Sequence, residues 1–129
     1  MSRSQRRPAV LAHPDASELD LFDVLHALSD PTRMTIIRTL IASQERSCET
    51  PPERRCGTFP VDVAPSTLTH HLRVLREAGV IRQRDEGNRR WTSLRETDLA
   101  DRFPGLLDTI VAADARQQER QPDLAGANL

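Results

Sequence analysis

A mainly α-helical fold with one small β-hairpin is predicted by three features of the sequence. Leu68, Leu72 and Leu75 recur at i, i+4 and i+7, the spacing of one helix face, and Ala78-Gly79 closes that run. Two short strand-like runs follow, Val80 to Arg84 and Arg90 to Leu94, with Glu86-Gly87-Asn88 as the turn between them. Positive charge is concentrated on the same stretch. Residues 66–95 carry seven Arg and three acids, net +4; residues 1–65 carry eight Arg and nine acids, net −1; residues 96–129 carry three Arg and seven acids, net −4. A helix with a polar outer face followed by an Arg-edged hairpin is the arrangement of a winged helix-turn-helix. In that fold the helix lies in the DNA major groove and the hairpin grips the backbone beside it.

The chain as a whole has net charge −1, which alone argues against a nucleic-acid partner, so the local distribution carries the argument. All eighteen basic residues are Arg, which gives every phosphate contact a fork-shaped donor. At 129 residues the length suits one domain with a modest core, and with 3% aromatics that core must be built from Leu, Ile and Val. No apolar run approaches the ~18 residues of a membrane span. The apolar stretch near the N-terminus is too short for a secretory signal, so a cytoplasmic protein is expected. A permanent disulfide between Cys48 and Cys56 is not expected in that reducing setting.

Residues 1–16, with Arg3, Arg6 and Arg7 ahead of Pro8, read as a flexible N-terminal arm, with DNA contact the alternative. Residues 17–118 read as the domain and 119–129 as a polar flexible tail. Ser17 to Leu28 is predicted as a helix whose Leu21, Leu25 and Leu28 share the buried face, with Phe22 widening it. Asp30 and Pro31 then serve as N-cap and first residue of a helix to Ala42 that buries Met34, Ile37 and Ile41, with Ile36 and Leu40 beside them. Ser43 to Pro60 holds three prolines, a glycine and both cysteines, leaving room only for a short helix near Glu53 to Thr58. The leucine-faced helix begins either at Pro65, with Ala64 as a poor cap, or later, with Ser66 as the cap. Thr97 can cap a short helix from Asp98, and a longer one is predicted from Pro104 to about Gln118. Its apolar stripe, Leu106, Leu107, Ile110 and Val111, is read as a subunit interface shared with the first helix, or else as part of the chain's own core. A dimer also suits a protein whose single reading helix offers few base contacts.

ALSDPTRMTIIRTL at positions 27–40 and STLTHHLRVLREAGVIRQRDEGNRRWTSL at positions 66–94, in this order and at this distance, resemble the arsenical-resistance-repressor (ArsR) type of winged-helix regulator. The two blocks span positions 27–94, about half of the chain. The resemblance implies a DNA-binding homodimer joined through its terminal helices, most often a repressor on a palindromic operator. It also implies that the first helix of the helix-turn-helix falls within the Pro-rich stretch. There the chain departs from the pattern, with Gly57 where a helix former is expected, Asp62 in place of the turn glycine, and Ala64 in place of a capping hydroxyl. Val61 and Val63 are expected to tie the turn to the reading helix.

Ser66, Thr69, His70 and Arg73 share the polar face of the leucine-faced helix and form the expected base- and phosphate-reading set, against the alternative of a merely solvated face. Arg84, Arg89 and Arg90 on the hairpin are expected to hold the DNA backbone or a minor groove. His71 is expected to be packed or internally hydrogen-bonded, and Trp91 to plug the core under the hairpin. Cys48 and Cys56 are candidates for sensing, as a redox pair or a thiophilic metal site, with spectator thiols as the alternative. Neither the CxC pattern nor the C-terminal Asp/His ligands common among the resembled family is present. A metal site would therefore need a third ligand, from Glu49, His13, His26 or another subunit. Arg46, Arg54 and Arg55 nearby favour a lowered thiol pKa. No nucleophile–base spacing, Gly-rich phosphate loop or HExxH occurs, so catalysis is not expected. A winged-helix protein-interaction module that has lost DNA binding remains the alternative function.

Overall fold

The computed structural model describes residues 11–43, 59–86 and 89–120, with the backbone alone at Glu86 and Arg89. The expected short helix near Glu53 to Thr58, and both cysteines, lie outside the described residues, as do residues 1–10 and 121–129. The elements are α1 (Leu21–Leu28), α2 (Pro31–Ser43), α3 (Pro65–Glu77), β1 (Ile81–Glu86), β2 (Arg89–Leu94), α4 (Glu96–Arg102) and α5 (Leu106–Arg120). Helices dominate and a single antiparallel hairpin follows α3, as a winged helix-turn-helix requires.

The first helix starts later than its sequence pattern predicts. A one-turn 3-10 segment, Ala16–Glu18, opens with a capping box in which Asp15 Oδ2 accepts the Ser17 N–H at 3.2 Å and Glu18 Oε1 accepts the Asp15 N–H at 2.7 Å. Asp20 then caps α1 by accepting from the Asp23 N–H at 3.0 Å. Val24, Ala27 and Leu28 form its buried stripe. Phe22 is 73% exposed and Leu21 37%, which corrects the expectation that both face the core. At about 100° per residue Phe22 lies almost opposite that stripe, and Leu21 sits at its edge in the first turn.

Asp30 caps α2 as predicted, its Oδ2 accepting the Arg33 N–H at 3.0 Å. Met34, Ile36, Ile37 and Leu40 are buried, whereas Ile41, expected inside, is 37% exposed. Arg33, 8% exposed, was not foreseen as a core residue.

In α3, Leu68, Leu72 and Leu75 are buried as predicted. The helix starts at Pro65 behind Ala64, which supplies no side-chain cap. It ends in a Schellman arrangement: Val80 N–H donates to the Leu75 carbonyl at 2.9 Å and Gly79 N–H to that of Arg76 at 3.0 Å. Gly79 has φ +88°, and a Cβ there would overlap Leu19 Cδ2, so the turn into the hairpin requires glycine twice over.

The hairpin register runs from Ile81 opposite Leu94 to Glu86 opposite Arg89. Since side chains alternate along a strand, Ile81, Gln83 and Thr92 share the inner face and Arg82, Arg84, Trp91 and Ser93 the outer one. Trp91 is thus not the core plug the sequence suggested. It is half-buried on the outer face, with the Arg84 guanidinium 5.4 Å from its ring centroid. The last two helices follow, with α4 beginning at Glu96, so Thr97 lies inside the helix rather than capping it. No residue of α5 is fully buried, while Leu106, Leu107, Ile110 and Val111 pack partly against the core.

Candidate nucleic-acid interface

The polar face of α3 is built by subtraction. Its leucines are fixed in the core, which leaves Ser66, Thr69, His70 and Arg73 exposed together on the other side. Thr69 Oγ donates to the Pro65 carbonyl at 3.0 Å, so this hydroxyl offers lone pairs outward and gains a free donor only by rotating. Arg73 has no hydrogen-bond or ion-pair partner among the described residues. Glu77, also exposed, ends this face, so an anionic ligand is favoured over the first two turns only. There the absent cap has a use. Leu68 N–H is the first to find an intrahelical acceptor, the Ala64 carbonyl, and the N–H groups of Ser66 and Thr67 stay unoccupied by any Ala64 side chain.

The hairpin sorts the other arginines by role. Arg84 is exposed on the outer face over Trp91, whose Nε1 is buried without a hydrogen-bond partner. Arg90 instead turns to its cross-strand neighbour, with Nε and Nη2 on the two oxygens of Asp85 at 2.6 and 3.0 Å. Those hydrogen bonds hold the Asp85 carboxyl below its ordinary pKa despite partial burial. The side chain of Arg89 lies outside the described residues.

Three further arginines hold the frame and were not singled out from the sequence. Arg76 bonds the Gln83 side chain at 2.9 Å and the Ala12 carbonyl at 3.2 Å. Arg95, 6% exposed, reaches the Pro14 carbonyl at 2.8 Å and Asp98 at 2.9 Å. Arg33 Nη1 lies 3.0 Å from His71 Nδ1, which bears out the internal hydrogen bond expected for that histidine. Residues 11–16, at the end of the expected arm, therefore lie against the hairpin and α3. His13 completes that contact: its Nε2 accepts the Gln83 N–H at 2.9 Å and its Nδ1 meets the Leu11 carbonyl at 2.8 Å. With both nitrogens engaged, His13 is not available as the third metal ligand considered above. Among the described residues no group of three or more His, Cys, Asp or Glu side chains is placed to hold a metal ion.

Residues 28–84 match the family described as the helix-turn-helix domain, a span from the end of α1 to the middle of β1. Over 88 residues, 67% of this chain and 82% of the relative, the sequence is 34% identical to an uncharacterized helix-turn-helix-type transcriptional regulator of Bacillus subtilis (strain 168), YceK. The chain belongs to the helix-turn-helix transcriptional regulators. As such a regulator it is a DNA-binding protein. Among its described residues no helix is long and apolar enough to cross a membrane.

Proposed function

We propose that this regulator is a homodimeric repressor of the ArsR type, acting in the cytoplasm on a palindromic operator. The observation that carries the reading is the exposed face of α3, where Ser66, His70 and Arg73, which has no partner among the described residues, stand beside an uncapped helix start. In each half-site α3 enters the major groove, Arg73 reads a guanine edge or clamps a phosphate, and Arg84 and Arg89 hold the backbone. The second subunit docks along α1 and α5, where Leu21 and Phe22 are exposed and the α5 stripe is only partly covered. Cys48 and Cys56 would supply the release signal through oxidation or a thiophilic metal.

The test is selection of binding sites from a randomised duplex pool, followed by anisotropy titration of the selected site with reduced, oxidised and metal-treated protein. A two-fold symmetric site supports the reading, and weaker binding after oxidation or metal treatment supports the switch. The competing reading, a winged helix that binds protein and no longer DNA, draws on the pairing of Arg90 with Asp85, which removes one wing cation from phosphate contact. Failure of any duplex to be enriched would favour it.

A further inference from the structure

We propose that Arg33 is a positioning residue for the DNA-reading helix: it ties α3 to the end of α1 and holds His71 as the Nε2–H form of the imidazole. This inference rests on the assignment of α3 to DNA. Arg33 sits in the first turn of α2 and is 8% exposed. Its Nε donates to the Ala27 carbonyl at 2.7 Å and its Nη2 lies 3.5 Å from that of His26. Both are carbonyls of the last turn of α1, the end that attracts a cation; that of His26 also accepts the Ser29 N–H at 3.2 Å and the Ser29 hydroxyl at 2.8 Å. The remaining arm, Nη1, reaches His71 Nδ1, thirty-eight residues away on α3, at 3.0 Å.

The chemistry of that last contact is one-directional. A guanidinium has only donors and stays charged, so His71 Nδ1 must be the acceptor and the ring proton must sit on Nε2. Nε2 has no partner among the described residues and is not among the buried unsatisfied atoms. It is left as a donor on a half-buried ring, with the exposed His70 ring 5.8 Å away between centroids. One buried side chain thereby sets how α3 lies on the body and which hydrogen-bonding character His71 offers beside His70. It also gives the SDPTR run at positions 29–33 a physical role: Asp30 caps α2 so that Arg33 is carried to the junction of three helices.

Protonation of His71 would place a proton on Nδ1, facing Arg33, and would break the clamp. The titratable and charged groups around the ring are Asp30 and Arg33 at the start of α2 and His70 on α3, with Asp23 and His26 of α1 and Glu77 of α3 lining the neighbouring cleft. Burial lowers the His71 pKa most; Asp30 opposes this, and Arg33 and then His70 add to it. The neutral, accepting form is therefore the one the fold favours.

The test uses the full-length chain and a duplex selected by the wild type from a randomised pool. Long-range 1H–15N correlation spectra should show His71 neutral with its proton on Nε2 at about pH 7.5. His71→Asn keeps an acceptor in the place of Nδ1 and should bind the duplex within about threefold of wild type, whereas His71→Leu, which abandons Arg33, should lose about tenfold or more. From about pH 7.5 to 5.5, wild type should lose affinity relative to His71→Asn, because only the imidazole can be protonated. Arg33→Lys keeps a donor for Ala27 but cannot span both sites, so it should fold and still bind about as weakly as His71→Leu. A proton on Nδ1, wild-type affinity in His71→Leu, or parallel pH profiles would overturn the clamp. Failure of the wild type to bind any duplex would instead remove the DNA reading beneath it, and the proposal with it.

Discussion

Arg73 and Arg90 belong to one basic stretch, yet their neighbours give them different work. Arg73 stands on the exposed face of α3, which Glu77 closes one turn later, and has no ion-pair partner among the described residues. Arg90 already has two hydrogen bonds to Asp85. Arg73→Ala is expected to weaken binding to a selected duplex by about 1–3 kcal/mol and to relax preference at one position per half-site if it reads a base. Anisotropy titrations that return wild-type affinity would take Arg73 out of the reading set. The same contrast shows where residue-level reading of the sequence stops. Helical periodicity placed the leucines inside and Arg73 outside, because that pattern is local. Arg33 and Arg95 contact groups 38 and 81 residues away, and no local pattern separates a buried arginine from a phosphate-seeking one.

The strands of the hairpin decide which of its arginines are exposed and which are paired. Arg84 rides on Trp91 on the outer face, an arrangement that keeps the charge exposed and the side chain ordered. Arg84→Ala is expected to weaken binding to all sequences alike and to lower the slope of log affinity against log salt by about one unit. Arg90→Ala should lower it by less, as Asp85 already neutralises that charge. Equal slopes for the two variants, over a salt series on one duplex, would return Arg90 to the phosphate-binding set. The existence and order of these elements were legible because turn residues and alternation mark a hairpin. The face of Trp91 was not, because a one-residue change of register reverses every side chain. The phase of α1 was missed for a related reason: leucines drew the stripe, while the buried face is set by Val24 and the small Ala27.

At the scale of the molecule, residues 11–19 run beside the hairpin, α3 and α4, held at Arg76, Gln83, Arg95 and Arg102. His13 and His71 both have pKa values below the ordinary 6.5, with burial the largest cause in each case. The unfolded chain therefore takes up protons before the native one does, so stability is fullest above about 6.5 and is lost as pH falls through the native values. Thermal melts should show Tm falling between about pH 7.5 and 5.5, with a smaller drop when His13→Gln and His71→Asn are combined. An identical drop in that double variant would assign the effect elsewhere.

The proposed dimer turns on the apolar surface of the last two helices. Val24, Leu28, Leu99, Phe103, Leu106 and Leu107 line one apolar depression between α1, α4 and α5. On α1, Leu21 and Phe22 are exposed, and α5 has no fully buried residue over its fifteen. A helix whose best-covered residues are only partly buried gains little from its own domain, and an isologous contact would bury this stripe against its copy. Arg38 to Asp114, an ion pair between α2 and the middle of α5, holds α5 on the body, so the stripe is presented by a held helix. Leu107→Glu should give monomers, since a carboxylate in an apolar seam is costly, while Phe22→Ser should weaken association more mildly. A monomer should occupy a single half-site and lose the tight binding that two sites about 34 Å apart provide together. Sedimentation velocity at micromolar concentration, run beside the anisotropy titration, checks both halves of this. A wild type that sediments as a monomer would overturn the dimer, and a Leu107→Glu monomer that binds the whole operator undiminished would show that pairing is not what gives the affinity.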